Sequence, residues 1–261
     1  METTTQEKKE SGSAQAGDSQ EQVVMIDKLS KSFGDKQVLK EVSFQIRKAE
    51  NLVVLGRSGS GKSTLIKCMV RLEEPDQGQI CIFGKDMVTV PYDELNGLRT
   101  RIGFLFQAGA LYDSMTVYEN LAFPLRHHKK EYTPEKTDAL IKEVLENVGL
   151  PDAGNMMPSE LSGGMSKRIG LARTLILKPE LMLFDEPTTG LDTATTKEIC
   201  QLIKDMQHKY KISSLIITHD IQCARMTADR IIVLREGSIV AEGSLDELSK
   251  SKDEWIHSFF N

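Results

Sequence analysis

A chain of 261 residues, 39% hydrophobic and 27% charged, has the composition of an ordinary folded protein with room for one substantial domain. A net charge of −5 and an aromatic share of 6% argue against nucleic acid as a partner, which would call for a basic, aromatic-bearing face. Runs such as LVVLG, LMLFD, SLIITH and RIIVL are far shorter than the roughly 20 apolar residues needed to cross a bilayer, and without a charged-then-apolar opening pattern no signal sequence is expected.

In chain order, residues 1–21 are polar and lack large apolar side chains after Met1, so a disordered tail is expected. Ordered structure is expected from Val23, where VVMID and then VSFQI have strand character. NLVVLG, QICIFG, IGFLF, LMLFD and SLIITH are short apolar runs bounded by turn residues, as in a buried sheet covered by helices. LIKCMV reads as helix. Thr133-Pro134 predicts a capped helix start, with Leu140, Ile141, Val144, Leu145 and Val148 buried and Gly149 as its stop. The stretch from about 108 to 164 has little strand pattern and reads as a mostly helical insertion. Residues 163–177 place Met165, Ile169, Ala172 and Ile176 on one helical face. RIIVLREGSIVAEG predicts a hairpin turning at Glu236-Gly237, and a short C-terminal helix is expected within 246–261.

Smaller features have plain readings. Cys68, Cys81, Cys200 and Cys223 are scattered without a CxxC pair, which suits buried thiols in a reducing compartment. RHHKK, residues 126–130, fits a solvated loop better than a lipid-headgroup contact. Met156 and Met157 fit gap-filling roles.

The chemistry concentrates in NLVVLGRSGSGKST. Gly56, Arg57, Ser58, Gly59, Ser60, Gly61, Lys62, Ser63 and Thr64 stand between an apolar strand and a helix. Glycines allow a tight loop whose N–H groups point at phosphate oxygens, and the helix N-terminus adds a favourable dipole. Lys62 is then placed for the β- and γ-phosphates and Ser63 for Mg²⁺. LMLFDE ends an apolar strand in Asp185, suited to the Mg²⁺ shell, and Glu186, suited to take a proton from the attacking water. LSGGM opens a helix at Ser162, Gly163 and Gly164, either to approach an anion or simply as a capping serine with flexible glycines. His219, at a strand end, is equally ambiguous by itself.

Taken together, GRSGSGKST, Gln107, LSGGM, LMLFDE, GLD and His219, in that order, resemble the nucleotide-binding subunit of an ATP-binding cassette (ABC) transporter over residues 23–245. The resemblance implies a P-loop NTPase cassette of α/β class over 22–245, with a RecA-like core, an antiparallel β subdomain and a helical insertion. It implies ATP and Mg²⁺ as ligands, Gln107 at the Mg²⁺, and Phe33 stacking on adenine. Glu186 is then the base and His219 a γ-phosphate contact. Ser162, Gly163 and Gly164 would bind the γ-phosphate held by a second copy of the chain, and Asp192 would lie on the loop crossing that interface. Two copies closing on ATP would act on a membrane permease at the cytoplasmic face of the inner membrane, contacted by about residues 108–125.

Within the family, FQAGALYDSMTVYENLAFPL and the LSGGM wording are similar to the ATPases of MCE-type (Mla) lipid transport systems. That likeness implies phospholipid as cargo and an MCE-domain lipid-binding protein as a further partner. Leu111, Tyr112, Val117 and Leu121 read equally well as core residues of the insertion. GLDTAT departs from the frequent GLDP, and no C-terminal extension gripping a neighbouring subunit is expected after WIHSFFN. Cassettes of iron–sulfur assembly, of cell division, or of importers for other substrates stay open as alternatives.

Overall fold

The computed structural model describes residues 21–107, 109–128 and 132–260. Strands β1 (Gln22–Phe33) and β2 (Lys36–Arg47) form an antiparallel hairpin closed tightly at Phe33 and Lys36. With β4 (Gln77–Ile82) and the two-residue β5 (Lys85–Asp86) they make a four-stranded sheet ordered β2-β1-β4-β5.

The second sheet holds the core. Its strands are β3 (Asn51–Leu55), β6 (Ile102–Leu105), β7 (Leu181–Asp185), β8 (Ser213–Thr218), β9 (Arg230–Arg235) and β10 (Ser238–Gly243), ordered β10-β9-β3-β8-β7-β6. All its pairings are parallel except β9 with β10, which form the hairpin predicted at Glu236-Gly237. Both turn residues have positive φ, 50° and 85°, the conformation a two-residue turn demands. β3, β7 and β8 are buried throughout. Alternate side chains therefore enter different cores: Leu52, Val54, Leu183 and Ile217 face one, Val53, Leu55, Phe184 and Ile216 the other. The first core is shared with the antiparallel sheet through Val24, Ile26, Phe44 and Ile80.

Helices α1 (Lys62–Met69) and α2 (Tyr92–Thr100) lie between the early strands. A third core gathers α3 (Val117–Ala122), α4 (Pro134–Asn147) and α5 (Gly163–Leu175) around Leu121, Ile141, Val144, Leu145, Ile169 and Ile176. The Thr133 hydroxyl caps α4, as its sequence predicts, and Gly149 follows it with φ 71°. Thr116 and Glu119 form a reciprocal capping box on α3. Leu140 and Met165, expected in the core, are only half-buried. α6 (Thr193–Tyr210) and α7 (Ile221–Thr227) cover the second core.

Two further expectations need correction. The C-terminal segment holds two helices, α8 (Leu245–Ser249) and α9 (Glu254–His257), where one was expected. Ser244 and Asp253 each cap their own helix start, so two separate nuclei form around the intervening turn. Ordered structure begins before Val23: β1 starts at Gln22, and Glu21 accepts from the Lys48 amide while its carboxylate pairs with the Lys48 ammonium. Residues 1–20 lie outside the described residues, as do 129 and 130 of the basic run and residue 131 after it. Cys68, Cys200 and Cys223 are buried and Cys81 half-buried, all as free thiols.

Candidate functional site

β3 delivers residues 56–61 to the end of the buried sheet, and α1 starts immediately afterwards with Gly61 as N-cap. No side chain caps that helix, so its first-turn N–H groups stay directed at the loop. Gly59 and Gly61 take φ of 79° and 106°. At Gly56 a Cβ would come within 2.5 Å of the Leu234 carbonyl and 2.7 Å of Ser60 Oγ, so only glycine fits. Among the described residues Ser60 Oγ is buried without a hydrogen-bond partner, a polar atom in want of a ligand oxygen. The Lys62 ammonium donates to the Gly56 and Arg57 carbonyls at 2.7 and 3.2 Å and lies 3.3 Å from Glu186 Oε1. The Arg57 guanidinium lies 5.7 Å from the Trp255 ring, which Arg235 also approaches at 5.0 Å.

Parallel pairing of β7 with β8 brings the carboxylates to this loop. With Asp185 opposite Ile217, the Glu186 amide donates to the Ile217 carbonyl, and its side chain arrives beside the end of β8. Ser63 Oγ donates to Asp185 Oδ1 at 3.1 Å, a pair of hard oxygen donors of the type Mg²⁺ takes. Burial pushes the Asp185 carboxyl above its ordinary range; the Glu186 charge adds to this and the Ser63 bond opposes it. Glu186 sits in the left-handed region with φ 51°, a strained position for a non-glycine residue. Its Oε2 accepts from the His219 amide at 3.2 Å and the Thr218 hydroxyl at 3.3 Å, and His219 Nδ1 lies 2.8 Å away. Lys62, Ser63, Asp185, Glu186 and His219 thus form one continuous group.

Ser162, Gly163, Gly164 and Asp192 form a second group. Ser162 Oγ caps α5, and Asp192 caps α6 while also accepting from the Thr195 hydroxyl at 2.8 Å. The two helix starts pack so closely that a Cβ on Gly164 would lie 2.5 Å from Thr195 Cγ2. The hydrogen bonds from Thr195 hold the Asp192 carboxyl below its ordinary range. Phe33, at the end of β1, is 47% exposed, with the Lys31 ammonium 5.1 Å from its ring centre. Gln107 is exposed, and its carbonyl accepts from Lys167.

Lys167 escapes a motif reading. It is 7% exposed on α5, and burial holds its ammonium below the ordinary lysine range, an effect that the nearby charges of Asp185 and Glu186 only partly offset. The signal available was a lysine sharing a helical face with Gly163 and Gly170, where close approach to another segment is possible.

A phosphate-cradling loop on a parallel sheet, with a carboxylate pair on a neighbouring strand, defines a P-loop nucleotide hydrolase. The pattern of the ABC transporter family matches residues 39–189, and the chain belongs to that family as an ATP-hydrolysing cassette. It is 40% identical over 233 residues to the probable ribonucleotide transport ATP-binding protein mkl of Mycobacterium leprae, covering 89% of this chain and 67% of that one. It is 35% identical over 241 residues to the intermembrane phospholipid transport system ATP-binding protein MlaF of Haemophilus influenzae, covering 91% and 89%. Among solved structures it resembles the ATP-binding cassette MJ0796, a dimer in a post-hydrolysis state bound to ADP and Pi. That match has a TM-score of 0.78 and 32% identity, covering 85% of this chain and 98% of that one.

Proposed function

We propose that the chain is the ATPase subunit of a membrane transporter that moves phospholipid or a related lipid, working as two copies that close on ATP and Mg²⁺. The observation that carries the lipid reading is the segment after Gln107. Asn120, fully buried, accepts from the Tyr112 amide and donates to the carbonyls of Tyr112, Met115 and Thr116, so it fixes the shape of the whole loop. Val117 and Leu121 anchor the loop in the insertion core, while Leu111 is half-buried. Phe106 and Tyr112 stay exposed, and Phe104, Phe106, Gly109, Ala110, Pro124 and Arg173 line a cavity of about 230 Å³ beside them. Such an aromatic-rimmed hollow suits a helix or loop of a permease; residue 108, the first of the expected contact segment, lies outside the described residues. Similarity to MlaF favours phospholipid as cargo; similarity to the mycobacterial protein, described as a probable ribonucleotide transport protein, is the specific observation for an importer of another substrate.

The geometry supports hydrolysis by a direct route. Loop amides and Lys62 would hold the β- and γ-phosphates, and Ser63 and Asp185, with the Gln107 side chain, would hold Mg²⁺, which would supply charge neutralisation at the phosphates. Glu186 takes the proton of the attacking water, oriented by His219 and Thr218. Ser162, Gly163 and Gly164 contact the γ-phosphate from the second copy, Asp192 crosses the interface, and Phe33 stacks on adenine. Loss of the γ-phosphate then releases the closed pair. Among the described residues no helix is long and apolar enough to cross a membrane, which fits a peripheral subunit at the cytoplasmic face of the inner membrane.

The test is purification of the tagged full chain from detergent-solubilised membranes of its source, with mass spectrometry of bound lipid and protein. The expected result is a permease, an MCE-domain protein and phospholipid, with all three lost in Tyr112→Ala while ATP binding persists. Recovery of a permease without phospholipid, but with nucleotide-stimulated ATPase activity, would assign the cargo elsewhere.

A further inference from the structure

One face of α5 grips the segment that begins at Gln107 at three positions spaced three residues apart. Lys167 donates to the Gln107 carbonyl, Gly170 lies against Gly109, and Arg173 donates to the Ala110 carbonyl. A Cβ on Gly170 would stand 3.0 Å from Leu105 Cδ1 and 3.1 Å from the Gly109 carbonyl, so a side chain there makes the Gly109 segment give way. Lys167, unlike the half-buried Arg173, is buried, and its charge neighbours are Asp185 and Glu186 of the hydrolytic group. The same helix begins at Ser162, Gly163 and Gly164. Its N-terminus and its Lys167 face different groups, barely one turn apart along a rigid rod.

We propose that Lys167 is a positioning residue that couples the two nucleotide sites of the working pair. Through its bond to the Gln107 carbonyl, beside Asp185 and Glu186, it makes any shift of the Ser162–Gly164 end reset the hydrolytic group of the same chain. The partner's nucleotide meets the helix start, and Lys167 passes the displacement to the chain's own Gln107, Asp185 and Glu186. The proposal rests on the reading that Ser162 to Gly164 serve the second copy's nucleotide. A buried ammonium suits this role because its loss leaves the Gln107 carbonyl without its donor and removes one of the positive charges beside the carboxylate pair, which Lys62 still faces.

The test uses the full-length purified chain and MgATP. Turnover against ATP concentration gives kcat, KM and the Hill coefficient, which two coupled sites allow to reach about 2. Fluorescent ATP analogue binding, thermal melting and light scattering of a Glu186→Gln variant with ATP are run alongside. Lys167→Met is expected to lose roughly thirty-fold or more in kcat and to bring the Hill coefficient to about 1, with analogue affinity within about two-fold of wild type. Lys167→Arg, which keeps a charged donor, restores the Hill coefficient. Gly170→Ala, which favours the helix but pushes Gly109 away, lowers the Hill coefficient with Lys167 intact. This variant decides the matter if Lys167→Met fails to fold. A Lys167→Met or Gly170→Ala protein with wild-type kcat and Hill coefficient overturns the relay while the ATP-driven dimer of Glu186→Gln upholds the shared-site reading. A wild-type Hill coefficient of about 1 together with that dimer likewise overturns the relay alone. If Glu186→Gln forms no ATP-dependent dimer, the shared-site reading falls and the relay with it.

Discussion

Replacing Glu186 with Gln isolates the base from the scaffold that holds it. In the protein, Glu186 Oε2 accepts from the His219 amide and the Thr218 hydroxyl at 3.2 and 3.3 Å, and Oε1 lies 3.3 Å from Lys62. A glutamine carbonyl can accept the same two bonds. Lys62 keeps its bonds to the Gly56 and Arg57 carbonyls, so the phosphate loop retains its shape. What disappears is the proton acceptor. Loss of a positioned general base costs about 10²- to 10⁴-fold in rate, or roughly 3–5 kcal/mol of barrier. Nucleotide affinity should stay within about three-fold, since uniform binding contacts persist. Phosphate release at saturating MgATP measures the first quantity and titration with a fluorescent ATP analogue the second. Hydrolysis within about three-fold of wild type would refute Glu186 as the base. A comparable loss of affinity and rate together would show instead that the carboxylate shapes the loop.

Two further predictions concern stability. Asp185→Asn should raise the melting temperature at pH 7 while abolishing Mg²⁺-dependent hydrolysis. The Asp185 carboxyl is held above its ordinary value, so the native state binds its proton more tightly than the unfolded chain does. Stability is therefore lost as pH rises through the window between those values, and the gain from Asp185→Asn should shrink as pH falls towards 3.8; an equal or lower melting temperature at pH 7 contradicts this. Arg230→Met should lower the melting temperature by about 6–20 °C, from roughly 3–5 kcal/mol for a broken buried pair. The Arg230 guanidinium bonds both Glu50 carboxylate oxygens, at 2.8 and 3.1 Å, and the Gln45 carbonyl, joining β9 to β2 and the turn after it. The double variant Glu50→Met with Arg230→Met should recover part of the loss, measured by circular dichroism; no recovery would mean that packing outweighs the charge.

The sequence exposes what the chemistry requires to be contiguous. Residues 56–64 must be neighbours to form a loop, and Asp185 and Glu186 must end the same strand, so both could be read directly. The hairpin at Glu236-Gly237 was legible for the same local reason. Lys167 was not, because its role arises where α5 meets a segment 60 residues earlier in the chain. The Arg230 pair with Glu50, separated by 180 residues, was equally hidden. The C-terminal segment reads as one helix because no glycine or proline interrupts residues 245–257. Only the bonds of Ser244 and Asp253 divide it in two.

The contact of Arg57 with Trp255 has a practical side. This sequence contains one tryptophan, and its indole lies against a side chain of the phosphate loop. Tryptophan emission therefore comes from a single point on the cassette, next to the residues that receive ATP. Any rearrangement of Arg57 on nucleotide loading changes the surroundings of that indole. The protein carries its own optical gauge of site occupancy, readable in the native chain without a dye.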